Sequence, residues 1–162
     1  MCKAIREMKK DAKKLIASFR EKTMPEEAHR LEVLMENVSE EIIEFPWTFN
    51  ADAYLSYFSP RKSCLADFFD DCTIVLDEPA RIKEHADAVE LEFKESMKMR
   101  LEKGYILPRQ TDVLLTKDEV LSKIRDKKVL LLSTMDGRLS LMKPDLKVSV
   151  NAKSIPSYNN DF

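Results

Sequence analysis

Glycine is almost missing from this chain. Only Gly104 and Gly137 occur among 162 residues, where average usage of roughly 7% gives about 11. Folds that cradle a nucleotide phosphate cluster several glycines, because a backbone that turns sharply against the phosphate leaves no room for side chains. Two glycines 33 positions apart cannot write GxGxxG or GxxxxGK[ST]. The pattern argues against an autonomous dinucleotide-binding enzyme or P-loop ATPase, and it excludes a collagen-like or glycine-linker protein. Each glycine also has a backbone role to fill. Gly104 follows a long helical pattern and suits its left-handed stop, and Asp136-Gly137 has the form of a tight turn.

The rest of the composition is that of a globular chain. At this length roughly 70% of the unfolded surface can be buried, and 44% of the residues are apolar. Basic and acidic side chains number 27 and 29, for a net charge of −2, so there is no overall pull toward nucleic acid or membrane. Cys2, Cys64 and Cys72 are odd in number and form no CxxC. With His29 and His85 far apart, neither a disulfide framework nor a metal cluster is indicated, and a cytoplasmic location is expected. Apolar runs are too short to span a bilayer. Met1-Cys2-Lys3 opens a charged helix and not a signal peptide.

Apolar spacing divides the chain into three parts. Over residues 1–46 it predicts an antiparallel helix pair. Ile5, Met8, Ala12, Leu15, Ile16 and Phe19 make one stripe. After it, Thr23 and Glu26 have the spacing of a capping box, with Pro25 suited to a first turn. Ala28, Leu31, Leu34 or Met35, Val38 and Ile42 make the facing stripe. Residues 1–22 carry 8 basic and 3 acidic side chains, whereas residues 23–46 carry 1 and 7. The basic helix can therefore attract its neighbour's flank or contact nucleic acid, and the flank attraction is the favoured reading. Residues 47–62 form an aromatic-rich connection that packs across the core. Phe45 and Pro46 introduce it, and Trp47, Phe49, Tyr54, Tyr57, Phe58 and Pro60 belong to it.

Residues 63–162 alternate strand and helix. Thr73-Ile74-Val75-Leu76 reads as a buried parallel strand. Pro79 then starts a long helix to about Lys103, with Ile82, Ala86, Val89, Phe93, Met97 and Leu101 facing inward. Thr116 to Glu119 is a capping box for a shorter helix. Val129 to Leu132 is a second buried strand, and Leu146, Val148, Val150 and Ala152 alternate as a third, half-exposed one. The expected fold class is α/β: a helix pair followed by a small, mostly parallel sheet between flanking helices.

One segment has the outline of catalytic machinery. Ile74-Val75-Leu76-Asp77-Glu78 resembles a Walker B strand, in which the Asp holds Mg²⁺ and the Glu polarises an attacking water. Ligands of open α/β sheets do bind beyond the carboxyl ends of the strands. Without a phosphate-cradling loop such a pair cannot place a nucleotide. Asp77 and Glu78 are then expected to cap the helix that Pro79 begins, as a degenerate pair with no catalytic, cofactor or metal role.

Those same residues carry a family resemblance. Leu65-Ala66-Asp67-Phe68-Phe69 followed by Thr73-Ile74-Val75-Leu76-Asp77-Glu78-Pro79-Ala80-Arg81 is similar to the "LLDYLP…VFLDEPAR" segment of the bacterial transcription-repair coupling factor. The likeness takes in Glu27 to Leu31, Leu115-Thr116, Val129 to Ser133 and Ser154-Ile155-Pro156-Ser157-Tyr158, and so covers nearly the whole chain. It implies a fragment of the amino-terminal module that resembles the excision-nuclease B subunit, a degenerate helicase-like domain without ATP hydrolysis. The B subunit itself is the alternative. Its "GFRLP" resembles Gly104-Tyr105-Ile106-Leu107-Pro108, but Ala80 stands where its DExH-type motif has His. The resemblance implies a parent that displaces lesion-stalled RNA polymerase by ATP-driven translocation on duplex DNA and recruits the excision-nuclease A subunit for nucleotide excision repair. ATP and Mg²⁺ belong to the parent's carboxy-terminal motor. No cofactor, catalytic residue or membrane contact is implied for this chain.

Overall fold

The computed structural model describes residues 2–44, 50–59, 61–134 and 141–151. The Asp136-Gly137 turn, Phe45 to Phe49, Pro60, Ala152 and the Ser154–Tyr158 stretch lie outside the described residues. Two 20-residue helices open the chain, α1 (Cys2–Glu21) and α2 (Pro25–Glu44). Three residues join them, so they fold back on each other and zip their apolar stripes together. Met8 and Leu31 are fully buried, with Ala4, Ala12, Phe19, Ala28, Met35, Val38 and Ile42 around them. Burying a Leu or Met side chain completely is worth roughly 1.5–3 kcal/mol, which makes this seam the main core.

Thr23 does not cap α2. Met24 occupies that position, and its carbonyl accepts from the Ala28 N–H at 3.2 Å. Thr23 instead ends α1. Its φ is 57°, its N–H donates to the Arg20 carbonyl at 3.2 Å, and the Met24 N–H donates to the Phe19 carbonyl at 2.9 Å. This is a Schellman stop with a β-branched residue where glycine is preferred. The left-handed backbone costs a non-glycine residue about 1–2 kcal/mol. Thr23→Gly is therefore expected to stabilise the protein by about 1 kcal/mol after its greater unfolded-state entropy is deducted. Thermal unfolding should show a rise of about 2–4 °C, and an unchanged or lower midpoint would contradict it.

The aromatic connection packs as expected where it is described. A 3₁₀ turn (Ala51–Tyr54) leads into the single-turn helix α3 (Leu55–Phe58), and Tyr54 and Tyr57 are buried against the helix pair. Leu107 joins the same core, fully buried. A 3₁₀ turn (Pro108–Asp112) follows it and is held by Gln110. The Gln110 Oε1 accepts from the Leu107 N–H, and its Nε2 donates to the Ala53 carbonyl, both at 2.7 Å.

Two strands follow in the α/β part, β1 (Thr73–Asp77) and β2 (Lys128–Leu132). They pair in parallel, Val75 opposite Leu130 and Asp77 opposite Leu132. Between them run α4 (Pro79–Glu102) and α5 (Lys117–Ile124). The expected Thr116 box opens α5, with the Glu119 carboxylate accepting from the Thr116 N–H at 2.8 Å. Ile74, Leu76, Val129 and Leu131 share the half-buried face of the sheet, while Val75, Leu130 and Leu132 are exposed on the other. Among the described residues the sheet has two strands, not three. Leu146, Val148 and Val150 belong to no helix or strand and are 80%, 73% and 83% exposed. Alternation makes a segment compatible with pairing, but a strand exists only against an edge that takes up its N–H and C=O groups.

α4 is more exposed than its spacing suggests. Ala86, Phe93, Met97 and Leu101 are half-buried, but Ile82 and Val89 are exposed. The helix is a strut about 36 Å long, held at its ends and near mid-length, where Asp87 and Glu90 accept from Lys117 of α5, and only part of its apolar stripe meets other elements. At its far end Gly104, at φ 70°, makes a second Schellman stop. The Gly104 N–H donates to the Leu101 carbonyl at 3.1 Å, and the Tyr105 N–H to the Arg100 carbonyl at 2.9 Å. This end docks on α2, where Arg30 donates to the Lys103 carbonyl and lies over the Tyr105 ring, 4.5 Å from its centroid.

Candidate functional site at the carboxyl end of the parallel strands

β1 and β2 run in parallel, so their carboxyl ends bring Asp77, Glu78, Ser133 and Thr134 to one edge of the sheet. Asp77 is exposed there as the last residue of β1, on the open face opposite Leu132. Glu78 is the hinge between strand and helix. Its φ and ψ are 50° and 67°, a left-handed conformation. That is unusual for a residue before proline, where steric crowding favours extended backbone. The Glu78 N–H extends the sheet by donating to the Leu132 carbonyl at 2.8 Å. Its carbonyl accepts from the Arg81 and Ile82 N–H groups at 2.9 and 3.2 Å, which starts α4.

The Glu78 side chain does not cap α4, contrary to the sequence expectation. Its Oε1 accepts from both the Thr134 N–H at 2.8 Å and the Thr134 Oγ1 at 2.6 Å. The left-handed backbone turns the carboxylate away from the helix's first N–H groups and toward the end of β2. Among the described residues Asp77 makes no capping bond either, and the cap position belongs to Glu78. The bonds from Thr134, first its hydroxyl and then its N–H, hold the Glu78 carboxyl below the usual range, with smaller help from Arg81 and Ser133. Glu78 is a clasp that joins the exit of β1 to the exit of β2.

The other functional candidates stay apart. Cys64 and Cys72 are half-buried with free thiols, and His29 and His85 are exposed on separate helices. Among the described residues no group of three or more His, Cys, Asp and Glu side chains is placed to share a metal ion, and no helix is long and apolar enough to cross a membrane.

A second polar centre had no sequence signal. Arg109 reaches from the 108–112 turn to α1, where it pairs with Glu7 Oε2 at 2.8 Å and Asp11 Oδ2 at 3.2 Å. The Tyr57 hydroxyl donates to the same Asp11 oxygen at 3.1 Å, and the Tyr57 ring lies beneath the guanidinium, 5.2 Å away. Burial, more than the nearby Asp11 charge, pushes the Tyr57 hydroxyl well above its ordinary pKa. The four groups come from segments up to 102 positions apart in sequence, so no local spacing marks them.

The described fold is mixed α/β: five helices and one small parallel sheet with carboxylates at its carboxyl end. No protein-family model matches the chain, and no curated protein is significantly similar to it.

Proposed function

We propose that this chain is a non-catalytic structural and interaction segment of a transcription-repair coupling factor. In this reading it holds neighbouring parts of the amino-terminal module, while RNA polymerase displacement, DNA translocation and ATP turnover reside elsewhere in the parent. The Glu78 clasp is the observation that supports it most. A Walker B glutamate must aim its carboxylate at an attacking water, whereas two hydrogen bonds from Thr134 tie Glu78 Oε1 to the exit of β2. The glycine count points the same way, since Gly104 is committed to a helix stop against α2. The DEPAR-type strand end and the order of the flanking segments support the choice of family.

Calorimetric titration of the chain with ATP–Mg²⁺ tests this reading. No binding at micromolar nucleotide is expected. Micromolar binding that disappears in Asp77→Ala overturns it in favour of a nucleotide-hydrolysing B-subunit-like domain. In the full-length protein, Asp77→Asn should leave displacement of a stalled polymerase unchanged.

A further inference from the structure

The basic character of α1 survives folding in an unexpected way. Its acids at Glu7 and Asp11 are taken up by Arg109, on the flank of the helix. Lys3, Arg6, Lys9, Lys10, Lys13 and Lys14 are all exposed, and none forms an ion pair among the described residues. The flank attraction favoured from sequence shrinks to one α1–α2 pair among these residues, Arg20 with Glu32. At 3.6 residues per turn the six cations fall within an arc of roughly 140°, away from the buried Met8, Ala12 and Phe19, over about 16 Å of helix. That length matches about five base pairs of duplex at 3.4 Å per step.

We propose that this outer face of α1 is a sequence-independent docking surface for the phosphate backbone of duplex DNA. Its composition selects the partner. Protein interfaces are depleted in Lys and anchored by aromatic side chains, but this face has five lysines and no aromatic residue. Single strands are held largely by aromatic stacking, which the face does not offer. Lying on a membrane requires a free apolar side, and that side of α1 is buried on α2. B-form DNA exposes phosphates on both rims of a groove about 12 Å wide, within reach of an exposed helix face, whereas the major groove of A-form RNA is deep and narrow. The surface is independent of nucleotide hydrolysis, so a negative result with ATP leaves it standing.

The test titrates the whole chain against a fluorescent DNA duplex of roughly 20 base pairs at increasing salt. With about six phosphate contacts, affinity should fall about 10³-fold between 50 and 200 mM salt. Replacing Lys9, Lys10, Lys13 and Lys14 together by Glu should abolish binding. Replacing the same four by Gln should weaken it and flatten the logarithmic salt slope by roughly 3–4. Both variants should keep the parent's circular dichroism and melting temperature, because these side chains are exposed and form no ion pair among the described residues. The same titration is run with single-stranded DNA, an RNA duplex and vesicles of anionic phospholipid. Absent binding at low salt, an unchanged slope in the Gln variant, or equal or tighter binding to any other probe overturns the proposal.

Discussion

Gly104→Ala is expected to lower the free energy of unfolding by about 3 kcal/mol. Roughly 1–2 kcal/mol comes from placing a side chain on a left-handed backbone, here at φ 70°. The remainder is steric, because overpacking a close contact costs about 1–3 kcal/mol. A Cβ at this position falls 2.6 Å from the Glu27 carbonyl oxygen and 3.3 Å from its carbon. Both atoms belong to the backbone of the first turn of α2, which cannot swing aside as a side chain would. The end of α4 must instead lift off α2. That motion weakens the Arg30 contacts with the Lys103 carbonyl and the Tyr105 ring. Urea unfolding followed by circular dichroism measures the loss. Arg30→Ala should therefore cost less in the Gly104→Ala background than in the parent chain. A loss below about 1 kcal/mol, smaller than the left-handed backbone alone should cost, would show that the docking geometry is looser than these distances imply.

The contrast with Thr23 shows which parts of the fold local sequence carries. Both positions are the left-handed residue of a Schellman stop, but only the glycine announces itself. Thr23 was legible as a cap because its hydroxyl and the Pro25-Glu26 that follows suit a helix start. The backbone used the threonine one motif earlier, and that choice depends on how α1 meets α2. The apolar stripes of the helix pair were legible for the opposite reason. Periodicity is a property of each helix alone, and Leu31, Met35, Val38 and Ile42 are buried as their spacing requires.

Tertiary partners decided everything else at the candidate site. Asp77 and Glu78 were found by the apolar strand before them, but the direction of the Glu78 carboxylate depends on Thr134, 56 positions away. Arg109 meets Glu7 and Asp11 across an even longer separation, and no pattern around Arg109 distinguishes it from the other exposed cations. The alternation at Leu146, Val148 and Val150 is a strand pattern without an edge to complete it in the described structure. The α/β class was therefore readable, while the extent of the sheet was not.

Gln110 joins two distant parts of this chain with one side chain. Gln110→Ala is expected to cost about 3 kcal/mol, because it strands two backbone groups at once. The Leu107 N–H is the more serious loss, since Leu107 is fully buried and the amide oxygen is the acceptor within 2.7 Å. The Ala53 carbonyl loses its donor on the other side. Gln110→Leu separates this cause from packing. It keeps most of the side-chain volume but has no polar atom, so it should be destabilised about as much as Gln110→Ala. Near-parental stability in the Leu variant would show that the cavity, not the unpaired backbone, sets the cost. Gln110→Glu should fall between the parent chain and these two variants. One carboxylate oxygen still accepts from Leu107, but the other faces the Ala53 carbonyl with no proton to share. Acidification should then narrow its deficit relative to the parent chain, because the protonated carboxyl can donate to Ala53 as the amide does. Urea midpoints for the parent and the three variants at neutral and mildly acidic pH carry the comparison. The residue spans the turn that follows α4 and the aromatic segment that covers the helix pair. If the Gln110 bonds hold those segments together, the Ala and Leu variants should also lose amide-exchange protection over 51–58 and 107–112 before α1 and α2 lose theirs.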